Sequence, residues 1–138
     1  LLFAYEHADK VLCDKNAADA EVFKTWVLDS IRDIVDLFIS KADKLYDEKC
    51  ADIMAKNPIF KNKYIANILN DTAGYTGTEL IRRIVGMAKV KDITTIEDDD
   101  KRVSAERKLL LFAKKLMLEN YSFTDGKSYV DGWLAIND

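Results

Sequence analysis

Gly74-Tyr75-Thr76-Gly77-Thr78-Glu79-Leu80-Ile81-Arg82-Arg83-Ile84-Val85-Gly86 carries the clearest helical pattern in the chain. At ~100° per residue, Gly77, Leu80, Ile81, Ile84, Val85 and Ala88 fall on one side of a wheel, and Glu79, Arg82, Arg83 and Gly86 on the other. The stretch therefore reads as an amphipathic helix with a charged notch. Gly86 falls between the two arginines, where a missing side chain leaves backbone open to close approach. Two guanidiniums beside a bare patch suit a polyhydroxylated or anionic ligand, because each presents several donors in a fixed fork. Glu79, at i−3 to Arg82 and i−4 to Arg83, equally describes ion pairing on an ordinary solvated helix. Periodicity alone fits both readings.

The run from Gly77 through Ile96 resembles part of the S-methyl-5-thioribose kinases. That family shares the protein-kinase-like fold of choline kinases and aminoglycoside phosphotransferases. Its Gly-x-Glu-Leu-Ile-Arg-Arg-x-x-Gly pattern is matched by Gly77, Glu79, Leu80, Ile81, Arg82, Arg83 and Gly86, and its Val-x-Asp-x-x-x-Ile connection by Val90, Asp92 and Ile96. Thr78 stands where members show a cysteine. The strong match covers roughly residues 72 to 97. The resemblance implies that Arg82 and Arg83 bind the thiosugar, with Glu79 and Gly86 supporting them. It further implies an all-α chain of about five to six helices without a sheet, the helical C-terminal subdomain (residues 1–138) of a larger kinase.

Upstream, Asn57-Pro58 places an N-cap residue before proline at the first helical position, where its missing N–H costs nothing. A helix begins there, with Phe60, Tyr64, Ile65, Ile68, Leu69 and Thr72 on its apolar face. Gly74 and Gly77 are expected to mark a bend or a short break before the arginine helix. From about Ala18 to Asp47, Val22, Phe23, Trp26, Val27, Ile31, Ile34, Leu37, Phe38 and Leu45 recur with helical spacing. This stripe is expected to face the core, Trp26 and Phe38 included, with Asp29, Arg32, Asp33 and Asp36 on the wet side. Leu1-Leu2-Phe3-Ala4-Tyr5 reads as the middle of a buried helix with no capping residue before it, and hence as the cut end of a larger kinase. His7 has no partners at catalytic or metal-ligand spacing and reads as an ordinary helix histidine.

Downstream, Lys91 to Thr95 reads as a connection, and a helix over about Glu97 to Asn120 follows. Its acids lie at the positive end of the helix and Lys114 and Lys115 near the negative end. The acidic run from Glu97 to Asp100 lacks the alternating ligands and central glycine of a calcium loop. Thr124-Asp125-Gly126 is a turn signal, and Tyr129, Val130, Trp133, Leu134 and Ile136 form a short terminal helix.

The 138 residues suffice for one core, and 49% hydrophobic with 33% charged residues describes a helical protein that is neither disordered nor fibrous. A net charge of −3 gives no basic field, so nucleic acid is not expected as a partner. Cys13 and Cys50 lack metal spacing and fit free thiols in a reducing compartment. With no membrane span or signal pattern, the cytoplasm is the expected location. No glycine-rich phosphate loop or catalytic aspartate stretch is present, so this chain is expected to hold no catalytic residue and no metal ligand, and to be inactive by itself. For the whole enzyme the resemblance implies transfer of the ATP γ-phosphoryl group to O1 of 5-methylthioribose, in methionine salvage, with ATP and Mg²⁺ held by the missing N-terminal part. It also implies a homodimer. Two other readings stay open: a non-catalytic helical interaction module whose notch binds a protein carboxylate, and another small-molecule kinase of the superfamily, such as a choline or homoserine kinase.

Overall fold

The computed structural model describes residues 1–136. Helix α1 (Leu2–His7) runs into a π-helical turn (Ala8–Leu12) and the short α2 (Cys13–Lys15). Asn16 then breaks the helix with an extended backbone, and its side chain accepts from Asp19 N–H to start α3 (Ala17–Lys49). After an irregular passage, Asn57 Oδ1 accepts from Ile59 N–H at 2.9 Å and Pro58 opens α4 (Pro58–Ile84), as the Asn-Pro pair led us to expect. A single-turn α5 (Lys91–Thr94) precedes α6 (Asp99–Leu118), capped by Asp98 from Lys101 N–H at 3.0 Å. Asp125 and Ser128 form a reciprocal capping box that starts α7 (Gly126–Leu134). The chain is all-α, and among the described residues there is no strand.

The core sits where α1, the second half of α4, α6 and α7 meet. Trp133, Phe112 and Phe123 are its largest fully buried side chains. They pack edge to face, Phe112 with Trp133 at 5.3 Å between centroids and with Phe123 at 6.0 Å, and Tyr5 closes on Trp133 at 5.6 Å. Burying each such ring contributes about 1.5–3 kcal/mol, with a further ~0.5–1.5 for each favourable ring pair. Two glycines let backbones approach. A Cβ on Gly77 would lie 2.7 Å from the Ala113 carbonyl oxygen, so α4 and α6 touch there, and one on Gly126 would lie 2.2 Å from the Arg32 carbonyl oxygen of α3. Gly126 N–H also donates to Asp36 Oδ1 at 2.8 Å, fixing the start of α7 on α3.

Glu6 is fully buried in this end of the molecule. Lys108 on α6 stands 3.2 Å from its Oε1 and lies over the Trp133 ring, 4.4 Å from the centroid. Neither Glu6 oxygen has a well-formed hydrogen bond. Burial raises the carboxyl pKa above its usual range, and the Lys108 charge offsets only part of that shift. Lys24 ties α3 to the π turn through Asp9 at 2.7 Å.

Several expectations are corrected. Of the bend or break expected at Gly74 and Gly77, the break is absent: α4 is one helix through both, because Gly77 serves close packing against α6 and the α-helical conformation is open to glycine as to any residue. It ends at Ile84, so Val85 and Ala88 lie beyond it and are exposed instead of lining the core. The stripe on α3 faces the core only in part: Val27 is buried, whereas Val22, Trp26, Ile34, Leu37, Phe38 and Leu45 are exposed. α3 is about 50 Å long, and beyond Asp36, which still meets the start of α7, it runs beside the beginning of α4. There Lys61 bridges Asp43 and Asp47 and the Tyr46 and Tyr64 rings meet at 5.8 Å. Phe60 and Tyr64 on the facing part of α4 are half exposed, as are Val103 and Met117 on α6. The Lys91–Thr95 connection contains a helical turn, and α6 starts two residues later than expected because Asp98 takes the cap.

Candidate functional site

The arginine cluster is built on the last turns of α4. Leu80 and Ile84 anchor that segment in the core, which turns Glu79, Arg82 and Arg83 outward. Arg82 grips the Glu79 carboxylate with two bonds, Nε to Oε2 and Nη2 to Oε1, both 2.8 Å. Arg83 Nε donates to the same Oε1 at 2.7 Å. Three donated N–H groups hold the Glu79 carboxyl at about 2, the Arg82 hydrogen bonds contributing most and those of Arg83 next. Both cations also lie in the last turn, where the helix dipole favours positive charge.

The cluster is thus preset rather than loose. Arg82 Nη1 and both terminal nitrogens of Arg83 have no hydrogen-bond partner among the described residues, so three nitrogens of the two forks are available to a ligand. The side chains of Arg82, Arg83 and Glu79 are 54%, 40% and 48% exposed. An open depression farther back on α4 involves Tyr75 and Thr78. Gly86 lies just past the helix, its N–H donating to the Arg82 carbonyl at 3.1 Å. A Cβ there would come within 2.4 Å of that same carbonyl oxygen, so the helix end itself calls for glycine.

The π turn, which sequence reasoning missed, opens a second polar region. A hollow of about 500 Å³ lies between it and the segment leading into α6, lined by His7, Lys10, Asp14, Lys15, Glu97 and Lys101 over Val11 and Ile96. His7 Nδ1 is 2.8 Å from the Asp92 carbonyl oxygen, which only accepts, so Nδ1 carries the proton. An inserted residue in a helix has no signature in residue type, and the two halves of the His7–Asp92 bond are 85 positions apart. No pattern along the sequence therefore announced this region. Cys13 and Cys50 are free. Among the described residues no group of three or more His, Cys, Asp or Glu is arranged to hold a metal ion, and no helix is long and apolar enough to cross a membrane.

No protein-family model matches the chain, and no solved structure does. Curated proteins do. A methylthioribose kinase of Erwinia tasmaniensis is 36% identical over 86% of this chain and 29% of its own length. Methylthioribose kinase 1 of Oryza sativa subsp. japonica is 34% identical over 80% of this chain and 27% of its own length. One from Geobacillus kaustophilus is 28% identical over 80% and 28% respectively. The chain therefore spans less than a third of the relatives it matches.

Proposed function

Because this chain is a relative of the methylthioribose kinases along most of its own length, we propose that it is the C-terminal, substrate-binding part of an ATP-dependent kinase that phosphorylates 5-methylthioribose at O1. The similarity to proteins bearing that one name carries the reading, and the Arg82–Glu79–Arg83 cluster gives it a place to act. A carboxylate that fixes two guanidinium forks lowers the cost of ordering them when a ligand arrives. The free nitrogens of Arg82 and Arg83 would hold sugar hydroxyls and neutralise charge on the phosphoryl oxygens, while the rest of the polypeptide closes the site from the other side. Glu79 is a positioning residue. ATP and Mg²⁺ belong in this reading to the remainder of the protein. Methionine salvage, a cytoplasmic location and a homodimer belong to the same proposal.

In the complete kinase, Arg82→Ala is expected to raise KM for 5-methylthioribose or lower kcat by about tenfold or more, with KM for ATP nearly unchanged. Glu79→Gln should give a smaller loss of the same kind. Unaltered kinetics in both variants would remove the assignment. One observation favours a second reading: the pair is about half exposed to solvent, as an interaction module gripping a partner's carboxylate would require. In that case both variants turn over normally, and Arg82→Ala instead abolishes binding to the partner.

A further inference from the structure

The hollow beside the π turn stands apart from the arginine cluster, and its unengaged groups are of a definite kind. Asp14 is paired with Lys101, Asp98 caps α6, and Lys10 leans on Asp9 at 3.2 Å. Three polar groups at its wall have no partner among the described residues. These are the Lys15 ammonium, the Glu97 carboxylate and His7 Nε2. Lys15 and Glu97 line the same hollow yet form no ion pair with each other. Since the Asp92 carbonyl fixes the proton on Nδ1, neutral His7 presents Nε2 as an acceptor. The surroundings therefore offer one cation, one anion, one neutral acceptor and an apolar floor at Val11, beneath which Ile96 is buried. A phosphate dianion fits poorly, because Asp14, Glu97 and Asp98 all border the space. A simple cation fits poorly, because Lys10, Lys15 and Lys101 do too. A molecule bearing both charges, with N–H donors and an apolar tail, answers every one of these groups. The π turn itself supports a ligand role, since such insertions in helices occur frequently at functional sites, and this one shapes the wall that holds Lys10.

We propose that this hollow binds a small zwitterion of the α-amino-acid type, its carboxylate on Lys15, its ammonium shared by Glu97 and His7 Nε2, and its apolar side chain over Val11 and Ile96. L-leucine serves as the probe, with leucinol, which lacks the carboxylate, and 4-methylpentanoate, which lacks the ammonium, as partners in the test. Titration calorimetry and heteronuclear NMR on the full chain should show saturable leucine binding, with shifts centred on residues 7–15 and 95–101. Each analogue should bind about tenfold more weakly or worse. Lys15→Met should weaken leucine to the level of leucinol without further weakening leucinol, and Glu97→Gln should do the same with respect to 4-methylpentanoate. Both side chains are exposed, so these variants keep the fold, which circular dichroism checks. Long-range ¹H–¹⁵N spectra should place the proton of neutral His7 on Nδ1. The proposal is overturned by the absence of saturable leucine binding, by equal binding in both variants, by inorganic phosphate competing as well as leucine, or by the proton residing on Nε2. None of these results bears on the kinase reading, which the Arg82 kinetics test by themselves.

Discussion

The two tryptophans of this protein sit on equivalent apolar stripes and meet opposite fates. Trp133, on α7, is 1% exposed among Phe112, Tyr5 and the Lys108 side chain, whereas Trp26, on α3, is 56% exposed with the Phe23 ring 5.7 Å from its own. The same contrast separates the end where α1, α4, α6 and α7 converge from the far arm made by the second half of α3 and the start of α4. Helical periodicity states which face a helix would bury. It does not state that a neighbour exists to bury it. At the packed end that neighbour is brought in by features outside the periodicity: two glycines at backbone contacts, and a capping box that starts α7 against α3.

The largest effect that could break this comparison is a pair of truncations. Trp133→Ala should cost about 3–5 kcal/mol and Trp26→Ala no more than about 0.5, read by chemical denaturation. Comparable losses would mean that the Trp26 side of α3 is covered in solution. A smaller effect, of opposite sign at two glycines of one helix, sharpens the point. Gly77→Ala should destabilise by about 1–3 kcal/mol, since the new methyl would meet Met117 and the Ala113 carbonyl. Gly74→Ala, with nothing within 4 Å of its Cβ, should stabilise by roughly 0.5–1. Next comes Tyr129→Phe. The Tyr129 hydroxyl is buried without a partner, and burial alone pushes its pKa up to about 12. Its removal should be neutral or gain a few tenths of a kcal/mol, in contrast to any apolar truncation nearby. The smallest effect is that of pH on the Glu79 cluster. Its folded pKa of about 2 lies below the ordinary 4.5, so its contribution is complete above ~4.5 and fades as pH falls towards 2. The exposure of the cluster means that salt should shrink even this, and Glu79→Gln should flatten the acid limb slightly.

Much of the architecture was legible in the sequence. The Asn57-Pro58 start, the acids opening α6 and the Asp125 turn are local signals with local physics, and each appears as a cap in the structure. The Glu79–Arg82–Arg83 geometry was legible too, being fixed by spacing on one helix. What escaped reading was set by other parts of the chain. Gly77 looks like a helix breaker until α6 lies against it, and Trp26 looks like core until its side of α3 is found bare. Glu6 shows no sign along the sequence of being swallowed between α1 and α6, because Lys108, its counter-charge, is a hundred residues away.

The π turn over Ala8–Leu12 has a consequence for insertions and deletions. Such a turn accommodates one residue more than an α turn, so a deletion within it would let the backbone relax into ordinary α-helix. The later side chains of α2 would then keep roughly their directions, because the turn already absorbs the extra residue locally, and His7, upstream, keeps its grip on Asp92. A variant shortened by one residue there would stay helical with Lys15 still at the wall, whereas a deletion in the α-helical stretch that follows would swing Lys15 by ~100°; the turn is where this helix tolerates a change of length.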